Sequence, residues 1–255
     1  MKISIINSNC SADRHFVIEE CADAEINIEL EFERIVSSQS RKQRQRDLCA
    51  LIQGELSKYQ WLISGSVNLE LAWYLSALER QETDKVGDID NITKPIIDSL
   101  TGKNGVLIDD AQIGSLHTFW MSRNTQIPDN LVKLKISFNN DECIEKNNLI
   151  FIQYAEAVCI PFNIDFSDIK NMMAALIIIK ARAKQRGAAK KINALGGNYD
   201  HYLVCSSWDV HRTRINGFDS QDIYQLSEFK QKCSENGLNF VALLREYKNV
   251  KNRRT

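Results

Sequence analysis

The stretch GDIDNITKPIIDSLTGKNGVLIDDAQIG, residues 87–114, concentrates acidic residues within a chain of 255 residues. Asp88 and Asp90 open the stretch, and Asp109 and Asp110 lie near its end. A segment with the apolar period of an amphipathic helix separates the two pairs. Because clustered carboxylates repel one another unless protons or cations neutralise them, such a grouping is costly without a partner. The stretch therefore predicts a site rather than a random run of surface charge.

The spacing inside the stretch predicts its local geometry. Asp88 and Asp90 are one residue apart, so in extended backbone their side chains point to the same side. Asp90 or Asn91 is the predicted cap of the helix that follows. Lys94 lies about one turn into this helix, and Asp98 lies one turn further, where it is the natural i,i+4 partner of the lysine.

The second acidic pair is expected to return to the start of this helix. The helix is predicted to end near Thr101 and Gly102, and GVLIDD then brings Asp109 and Asp110 back. Oxygen-only ligands favour Mg²⁺ or Mn²⁺ over zinc, and such ions activate water for phosphodiester cleavage. A nearby lysine can stabilise the charge that develops on the phosphate. Two simpler interpretations stay open, namely helix capping by the first pair and plain solvation of the second.

The flanking sequence predicts an α+β domain around the stretch. Alternating apolar residues indicate strands at residues 24–34 and Val67–Leu75, with a helix between them. ERQETDKVG, residues 79–87, is predicted to be a loop. SLHTFWMS (115–122) and NLVKLKISF (130–138) both have the pattern of strands.

Four segments are predicted along the chain. Residues 1–23 form an N-terminal extension, 24–138 the α+β domain, 139–148 a polar linker, and 149–255 a second, α/β-type region of no recognisable family. In this second region we expect one or two strands at 149–162, a helix from Asp165 or Ser167 to Gly187, and a strand at 201–207. Two further helices, broken at Asn236 and Gly237, are expected within residues 221–250.

The charges divide unevenly between the two parts of the chain. Residues 166–255 hold 16 Lys and Arg against 8 Asp and Glu, whereas residues 1–165 hold 16 basic against 25 acidic residues. Such a division suggests two regions with different electrostatic roles. Two basic runs are candidate DNA-contacting groups, because cations in series bind a phosphate backbone without sequence preference. They are Arg41, Lys42, Arg44 and Arg46 in the first region, and Lys180, Arg182, Lys184 and Arg186 in the second. Solvated helix ends or a protein-partner surface are the alternatives.

Composition and cysteine usage narrow the class of protein. With 44% hydrophobic and 25% charged residues, the chain is typical of a folded protein without a membrane span. The seven cysteines show no C-x-x-C spacing, which indicates reduced thiols and not disulfides or a zinc site. The first residues lack the features of a signal peptide. We therefore expect a cytoplasmic protein.

The motif D-I-D-N-I-x-K-x3-D-S-L, followed by G-V-L-I-D-D-A-Q-I, resembles the signature of the RusA-type Holliday junction resolvases. The resemblance covers residues 24–138 and implies a small mixed sheet with packed helices. It implies a Mg²⁺- or Mn²⁺-dependent endodeoxyribonuclease of DNA recombination and repair. It also implies a homodimer, whose two active sites nick opposed strands of a four-way junction.

The resemblance also assigns roles to individual residues. It implies that Asp88, Asp90 and Asp110 bind the metal, that Asp109 supports them, and that Lys94 is the catalytic lysine. Asn91 is assigned to capping and Asp98 to orienting the lysine. Two features depart from the family pattern: ERIVSSQSRKQ lacks the prolines expected after the first strand, and residues beyond 139 have no counterpart. A branched-DNA or partner-binding protein that does not cut is the competing hypothesis, and nucleotidyl transfer is a weaker one.

Overall fold

The computed structural model describes residues 1–13, 23–83, 86–199, 209–215 and 217–239. They belong to two compact units. The first unit comprises Met1–Asn147 together with the short segment Arg214–Phe218. The second comprises Asn148–Thr213 and Asp219–Thr255. One stretch of the C-terminal half is therefore counted with the N-terminal unit.

A five-stranded mixed sheet forms the centre of the first unit. Its strands are β1 Lys2–Ser8, β2 Asp23–Phe32, β4 Val67–Leu75, β5 Ile113–Ser122 and β6 Asn130–Asn139. They lie in the order β1-β2-β6-β4-β5, and β4 and β5 are the one neighbouring pair of this sheet that runs parallel. Two short strands, β3 Trp61–Ile63 and β7 Cys143–Glu145, form a separate antiparallel pair. The predicted α+β class with a small mixed sheet is confirmed.

Three helices accompany this sheet: α1 Lys42–Leu56, α2 Ala77–Glu82 and α3 Ile89–Ser99. Helix α1 buries Leu48, Ile52 and Leu56, and α3 buries a stripe that includes Ile92 and Ile96. These spacings of four residues place each set on one helical face. Both faces belong to the same apolar core as the inward residues of the strands. The core therefore holds α3, and with it the first acidic pair, in a defined place.

Three expectations for this unit are corrected by the structure. The predicted extension 1–23 includes β1, an edge strand that pairs with β2 and whose short, half-exposed pattern gives little signal. The predicted linker 139–148 includes β7, which is formed by pairing with the distant Trp61–Ile63 and not by its own composition. The predicted loop 79–87 begins within α2, where the Ser76 hydroxyl accepts a hydrogen bond from the Glu79 backbone N–H.

In its described residues, the second unit contains a four-stranded sheet and two α-helices. The strands are β8 Leu149–Ala155, β9 Val158–Asn163, β10 Val210–His211 and β11 Ile223–Gln225, in the order β10-β9-β8-β11. The helices are α4 Ile169–Ala194 and α5 Leu226–Glu235. Buried residues of β8, α4 and α5, including Ile152, Met172 and Phe229, form one apolar cluster. This unit has its own core, as the predicted second region requires.

Both ends of helix α4 lie at positions other than those predicted. Asp168, and neither Asp165 nor Ser167, occupies its N-cap and accepts a hydrogen bond from the Lys170 backbone N–H. The helix passes through Gly187, a residue tolerated inside a helix at a modest conformational cost. The expected strand at 201–207 and the helix expected after Gly237 lie outside the described residues, apart from 238–239. No helix in the described ranges is long and apolar enough to cross a membrane.

Candidate active site

The first acidic pair lies at the N-terminus of α3. Asp88 occupies the N-cap position but its side chain makes no capping hydrogen bond, and Asp90 lies in the first turn. Asp88 precedes the helix with φ −60° and ψ 153°, whereas Asp90 is helical. The shared extended geometry and the caps predicted at Asp90 or Asn91 are therefore wrong, because the N-cap lies two residues before Asp90. Both carboxylates are exposed. Within the described part of the chain, neither has a hydrogen bond or ion pair with another side chain.

Lys94 connects this helix to the second acidic pair. Its Nζ lies 2.6 Å from Asp98 Oδ1, which is the expected i,i+4 contact, and 3.0 Å from Asp110 Oδ2. Partial burial lowers the pKa of Lys94, but hydrogen bonds to the two aspartates outweigh this effect and raise the pKa above its usual value. The hydrogen bond from Lys94 in turn lowers the pKa of Asp110. Lys94 and Asp110 are therefore both charged at neutral pH.

A buried glutamine fixes the turn that carries Asp109 and Asp110, here called the acidic turn (residues 109–112). Gln112 is buried, and its amide N–H groups donate to the carbonyls of Ile63 at 2.7 Å and Gly65 at 2.9 Å. Its side-chain oxygen accepts hydrogen bonds from the backbone N–H groups of Ile108 and Asp109. Gln112 thus uses every donor and acceptor of its amide to orient the turn. The residue stands in the motif, but its role depends on β3, which the sequence did not reveal.

Pro95 couples a serine loop (residues 37–40) to the same helix. A proline lacks the N–H that would bond the carbonyl four residues earlier, which here belongs to Asn91. That carbonyl accepts instead a hydrogen bond of 2.8 Å from the Ser38 backbone N–H, and the Ser38 hydroxyl donates to Asn91 Oδ1 at 2.5 Å. Asn91 therefore tethers the loop and does not cap the helix, which corrects its expected role. Gln45 of α1 holds the loop from the other side, with a 2.8 Å hydrogen bond to the Ser38 carbonyl.

This tether places the first basic run close to the start of α3. Arg41 is at the N-cap position of α1, directly after the serine loop, and Lys42 opens the helix. Arg41, Lys42 and Arg46 are exposed, and Arg44 is half-buried. The first turn of α1 contains no acidic residue and no side-chain cap. Cations at a helix N-terminus oppose the helix dipole, so this arrangement favours an anion as its missing partner.

An arginine far along the sequence completes the charges of the site. Arg214 Nη1 lies 3.0 Å from Asp109 Oδ1 and 3.7 Å from Asp110 Oδ1. The sequence gives no sign of this contact, because 105 positions separate Arg214 from Asp109. Counting Lys94 and Arg214 against the five aspartates of the motif, the site carries three more negative than positive charges.

The structure does not gather the three predicted metal ligands into a ready-made cluster. Among the residues described, no group of three or more His, Cys, Asp or Glu side chains is arranged to hold a metal ion. Asp110 faces Lys94, and Asp88 and Asp90 face solvent. The chemistry of the donors nevertheless suits a hard divalent cation, because all three are carboxylates and two of them lack a described partner.

The four residues of the second predicted basic run differ in exposure and in their contacts. Lys180 and Lys184 are exposed on α4, and Arg182 is half-buried. Arg186 instead contacts Asp209 and the Tyr154 hydroxyl, and only 23% of its side chain is exposed. The structure thus presents the two lysines to solvent and commits Arg186 to an internal contact.

Lys94 lies on α3 between the carboxylates of Asp98 and Asp110, and the serine loop joins this helix to the basic start of α1. This arrangement is suited to phosphodiester chemistry. Comparison with protein families gives the same class. Residues 23–136 match the model of the family described as endodeoxyribonuclease RusA. This part of the chain is a RusA-family domain, and the resemblance drawn from the motif is confirmed. No curated protein matches the chain.

Proposed function

We propose that the protein is a metal-dependent endodeoxyribonuclease that resolves four-way DNA junctions by paired nicks. The observation that carries this proposal is the Lys94–Asp110 ion pair, which joins the two halves of the RusA motif in one site. The family match supports the nuclease class. The excess negative charge of the site supports a cation requirement, because a polyanionic substrate cannot approach such a site unaided.

In this proposal the catalytic residues are Asp88, Asp90, Lys94, Asp109 and Asp110. Mg²⁺ or Mn²⁺ held by Asp88, Asp90 and Asp110 would supply a bound water of lowered pKa and stabilise charge on the phosphate oxygens. Lys94 has three N–H donors, of which Asp98 and Asp110 occupy two. The third donor is available to a phosphate oxygen and stabilises the transition state there. Asp98 keeps the ammonium group in place throughout.

The basic run of α1 contributes affinity for the DNA backbone. The tether from Ser38 to Asn91 fixes the distance between this run and the N-terminus of α3. A phosphate bound beside Arg41 or Lys42 therefore brings the neighbouring backbone towards Asp88 and Asp90. Because the contacts are with phosphates, this affinity is expected to be independent of sequence and sensitive to salt.

Two copies of the chain are required for paired nicks, since each chain carries one motif. We therefore include a homodimer in the proposal, with one active site for each of two opposed strands. In a symmetric dimer the same surface of each copy forms the interface, and the two sites are related by a twofold axis. A four-way junction with two equivalent strands matches that symmetry.

The test compares a synthetic four-way junction with a linear duplex of the same sequence, each with Mg²⁺ and with EDTA. The proposal predicts nicks at symmetric positions of two opposed junction strands, only with the metal, and an intact duplex. Analytical ultracentrifugation of the same sample should show a dimer. Tight junction binding without cleavage under Mg²⁺ and Mn²⁺ would favour the non-cleaving DNA-binding protein instead.

A further inference from the structure

The segment Arg214–Phe218 is anchored on the first unit. Ile215 within it is completely buried. Gly217 packs backbone to backbone with Gly102, so closely that a Cβ on Gly217 would lie 3.1 Å from the Gly102 Cα. Gly102 has a φ of +86° and follows the last residues of α3. The segment is therefore fixed by apolar burial and by a close glycine contact, and neither of these contacts uses its arginine.

Arg214 extends from this anchored segment to the acidic turn. It donates from Nη1 to Asp109 Oδ1 at 3.0 Å, and the same nitrogen lies 3.7 Å from Asp110 Oδ1. Asp109 also accepts a hydrogen bond of 2.9 Å from the Ala111 backbone N–H. Hydrogen bonding with Asp109 raises the pKa of Arg214, so the guanidinium stays charged. One side of the guanidinium is thus occupied by the turn that carries a proposed metal ligand.

The rest of this guanidinium is open. Nearly half of the Arg214 side chain, 48%, is exposed, whereas 12% of the Asp109 side chain is exposed. Nε and Nη2 have no hydrogen-bond partner within the described ranges. A guanidinium has five N–H donors in a planar fork that matches the geometry of a phosphate. Asp109 is largely buried, so the pair fixes the position of the guanidinium, and the exposed part of Arg214 is left for another partner.

We propose that Arg214 is a catalytic residue that binds the phosphate cleaved in the acidic site. Asp109 holds one edge of the guanidinium, and the other edge receives a non-bridging phosphate oxygen. The inference rests on the proposed nuclease function and adds a residue from outside the RusA-family region, 23–136. Lys94 and Arg214 then approach the same phosphate from two sides of Asp110. Arginine suits this task better than lysine, because only its planar fork can serve a carboxylate and a phosphate at once.

The experiment compares Arg214→Gln with Arg212→Gln under single-turnover conditions, with saturating Mg²⁺ and excess enzyme over junction. Arg212 is an exposed arginine of the same 3₁₀ turn, so its substitution removes the same charge two residues away. We expect Arg214→Gln to slow cleavage on the order of 100-fold, as loss of one transition-state donor does. Arg212→Gln should stay within about twofold of wild type, because an exposed charge outside the site contributes little. Junction binding in EDTA, measured by fluorescence anisotropy, should weaken for Arg214→Gln only.

The outcomes separate this inference from the proposed function. If wild type cleaves and Arg214→Gln cleaves equally fast, the role of Arg214 is wrong and the nuclease proposal stands. If wild type does not cleave, the nuclease proposal fails, and binding in EDTA decides the phosphate contact by itself. Should Arg214→Gln have a lower unfolding midpoint than wild type, Arg214→Lys replaces it in both assays. A folded Arg214→Lys with reduced cleavage supports the planar contact, and an unchanged rate contradicts it.

Discussion

Two arginine–aspartate pairs, one in each unit, have opposite surroundings. In the first unit Arg214 meets Asp109 with 48% of the arginine side chain and 12% of the aspartate side chain exposed. In the second unit Arg186 meets Asp209 with 23% and 4% exposed. A tyrosine bridges the second pair: Arg186 Nε donates to the Tyr154 hydroxyl at 2.7 Å, and that hydroxyl donates to Asp209 Oδ2 at 2.8 Å.

The difference matches the two roles proposed for these pairs, substrate binding for Arg214 and stabilisation of the fold for Arg186. The Arg186 pair is closed, since Arg186 Nε donates to the Tyr154 hydroxyl, and Arg186 Nη2 and that hydroxyl both donate to Asp209 Oδ2. Burial raises the pKa of Tyr154 to about 12, so its hydroxyl remains a donor at any physiological pH. The Arg214 pair is open, because nearly half of the arginine side chain is exposed and its Nε and Nη2 have no partner among the described residues. An open pair can receive a substrate anion, whereas a closed one must first be broken.

A large effect should follow from removing Lys94, the lysine of the acidic site. Lys94→Met is expected to reduce cleavage by about 100- to 1000-fold, since it deletes the charge that the proposed mechanism places at the reacting phosphate. Half of the Lys94 side chain, 51%, is exposed, so the unfolding midpoint should change little. Lys58→Met removes a surface lysine paired with Glu55 and is the matched control. Single-turnover rates on a four-way junction measure both, and equal rates for the two variants would exclude Lys94 from catalysis.

Breaking the closed pair should affect the fold and not the reaction. Arg186→Met leaves the Asp209 carboxylate buried without its cation, which should lower the free energy of unfolding by about 3 kcal/mol. Urea denaturation measures this change, with Arg182→Met of the same helix as the control. If Arg186→Met is as stable as the control and binds junctions more weakly, the original prediction of a DNA contact is correct and the structural role is not.

Lys146 differs from both arginines, because it is a cation with no ion-pair partner among the described residues. Lys146 Nζ is buried and has no hydrogen-bond partner among the described residues, and burial lowers its pKa to about 8. Its folded-state pKa lies below the unfolded value, so the penalty is complete below pH 8 and disappears as the pH rises towards 10.5. Lys146→Met should therefore stabilise the protein by about 1–2 kcal/mol at pH 7 and by much less at pH 10.5. Thermal unfolding at both pH values checks this, and a gain independent of pH would contradict it.

The smallest effect is expected from single substitutions in the basic run at the start of α1. Arg41→Gln and Arg46→Gln each remove one exposed cation of the basic run beside the serine loop. Each should flatten the slope of log binding constant against log salt by about 0.9 for a duplex arm of the junction. Anisotropy titrations in EDTA at several salt concentrations measure the slope. An unchanged slope in both variants would place the DNA elsewhere.

Much of the first unit could be predicted because its elements have strong local patterns. The strand Val67–Leu75 has the predicted limits, since alternating burial is visible in its sequence. The Lys94–Asp98 contact followed from helical spacing alone. By contrast, β1 and β7 exist because distant segments pair with them, and short strands of mixed polarity carry no such pattern. A sequence pattern indicates structure that depends on neighbouring residues, whereas these two strands depend on residues distant in the sequence.

The parts of the site that escaped prediction depend on long-range contacts. Arg214 reaches the acidic turn across 105 positions, and nothing in its neighbourhood resembles a motif. The tether between Ser38 and Asn91 arises from the N–H that Pro95 lacks. That proline was visible in the sequence, so the free Asn91 carbonyl could have been deduced, but its partner could not. Arg186 was a predicted DNA contact but pairs with the buried Asp209. A basic run in the sequence does not indicate which of its members pairs with a buried aspartate.

The central claim is that Asp110 binds a metal ion and is more than a partner for Lys94, and one pair of variants tests it most directly. Asp110→Asn and Asp98→Asn each remove one of the two carboxylates that contact the Lys94 ammonium. Measured as single-turnover junction cleavage across a Mg²⁺ titration, Asp110→Asn should lose on the order of 1000-fold in rate, because several kcal/mol of metal-derived charge stabilisation disappear. Asp98→Asn should lose about tenfold and keep the Mg²⁺ dependence of wild type. Equal losses and the same Mg²⁺ dependence in both variants would contradict the claim and reduce Asp110 to a partner of the lysine.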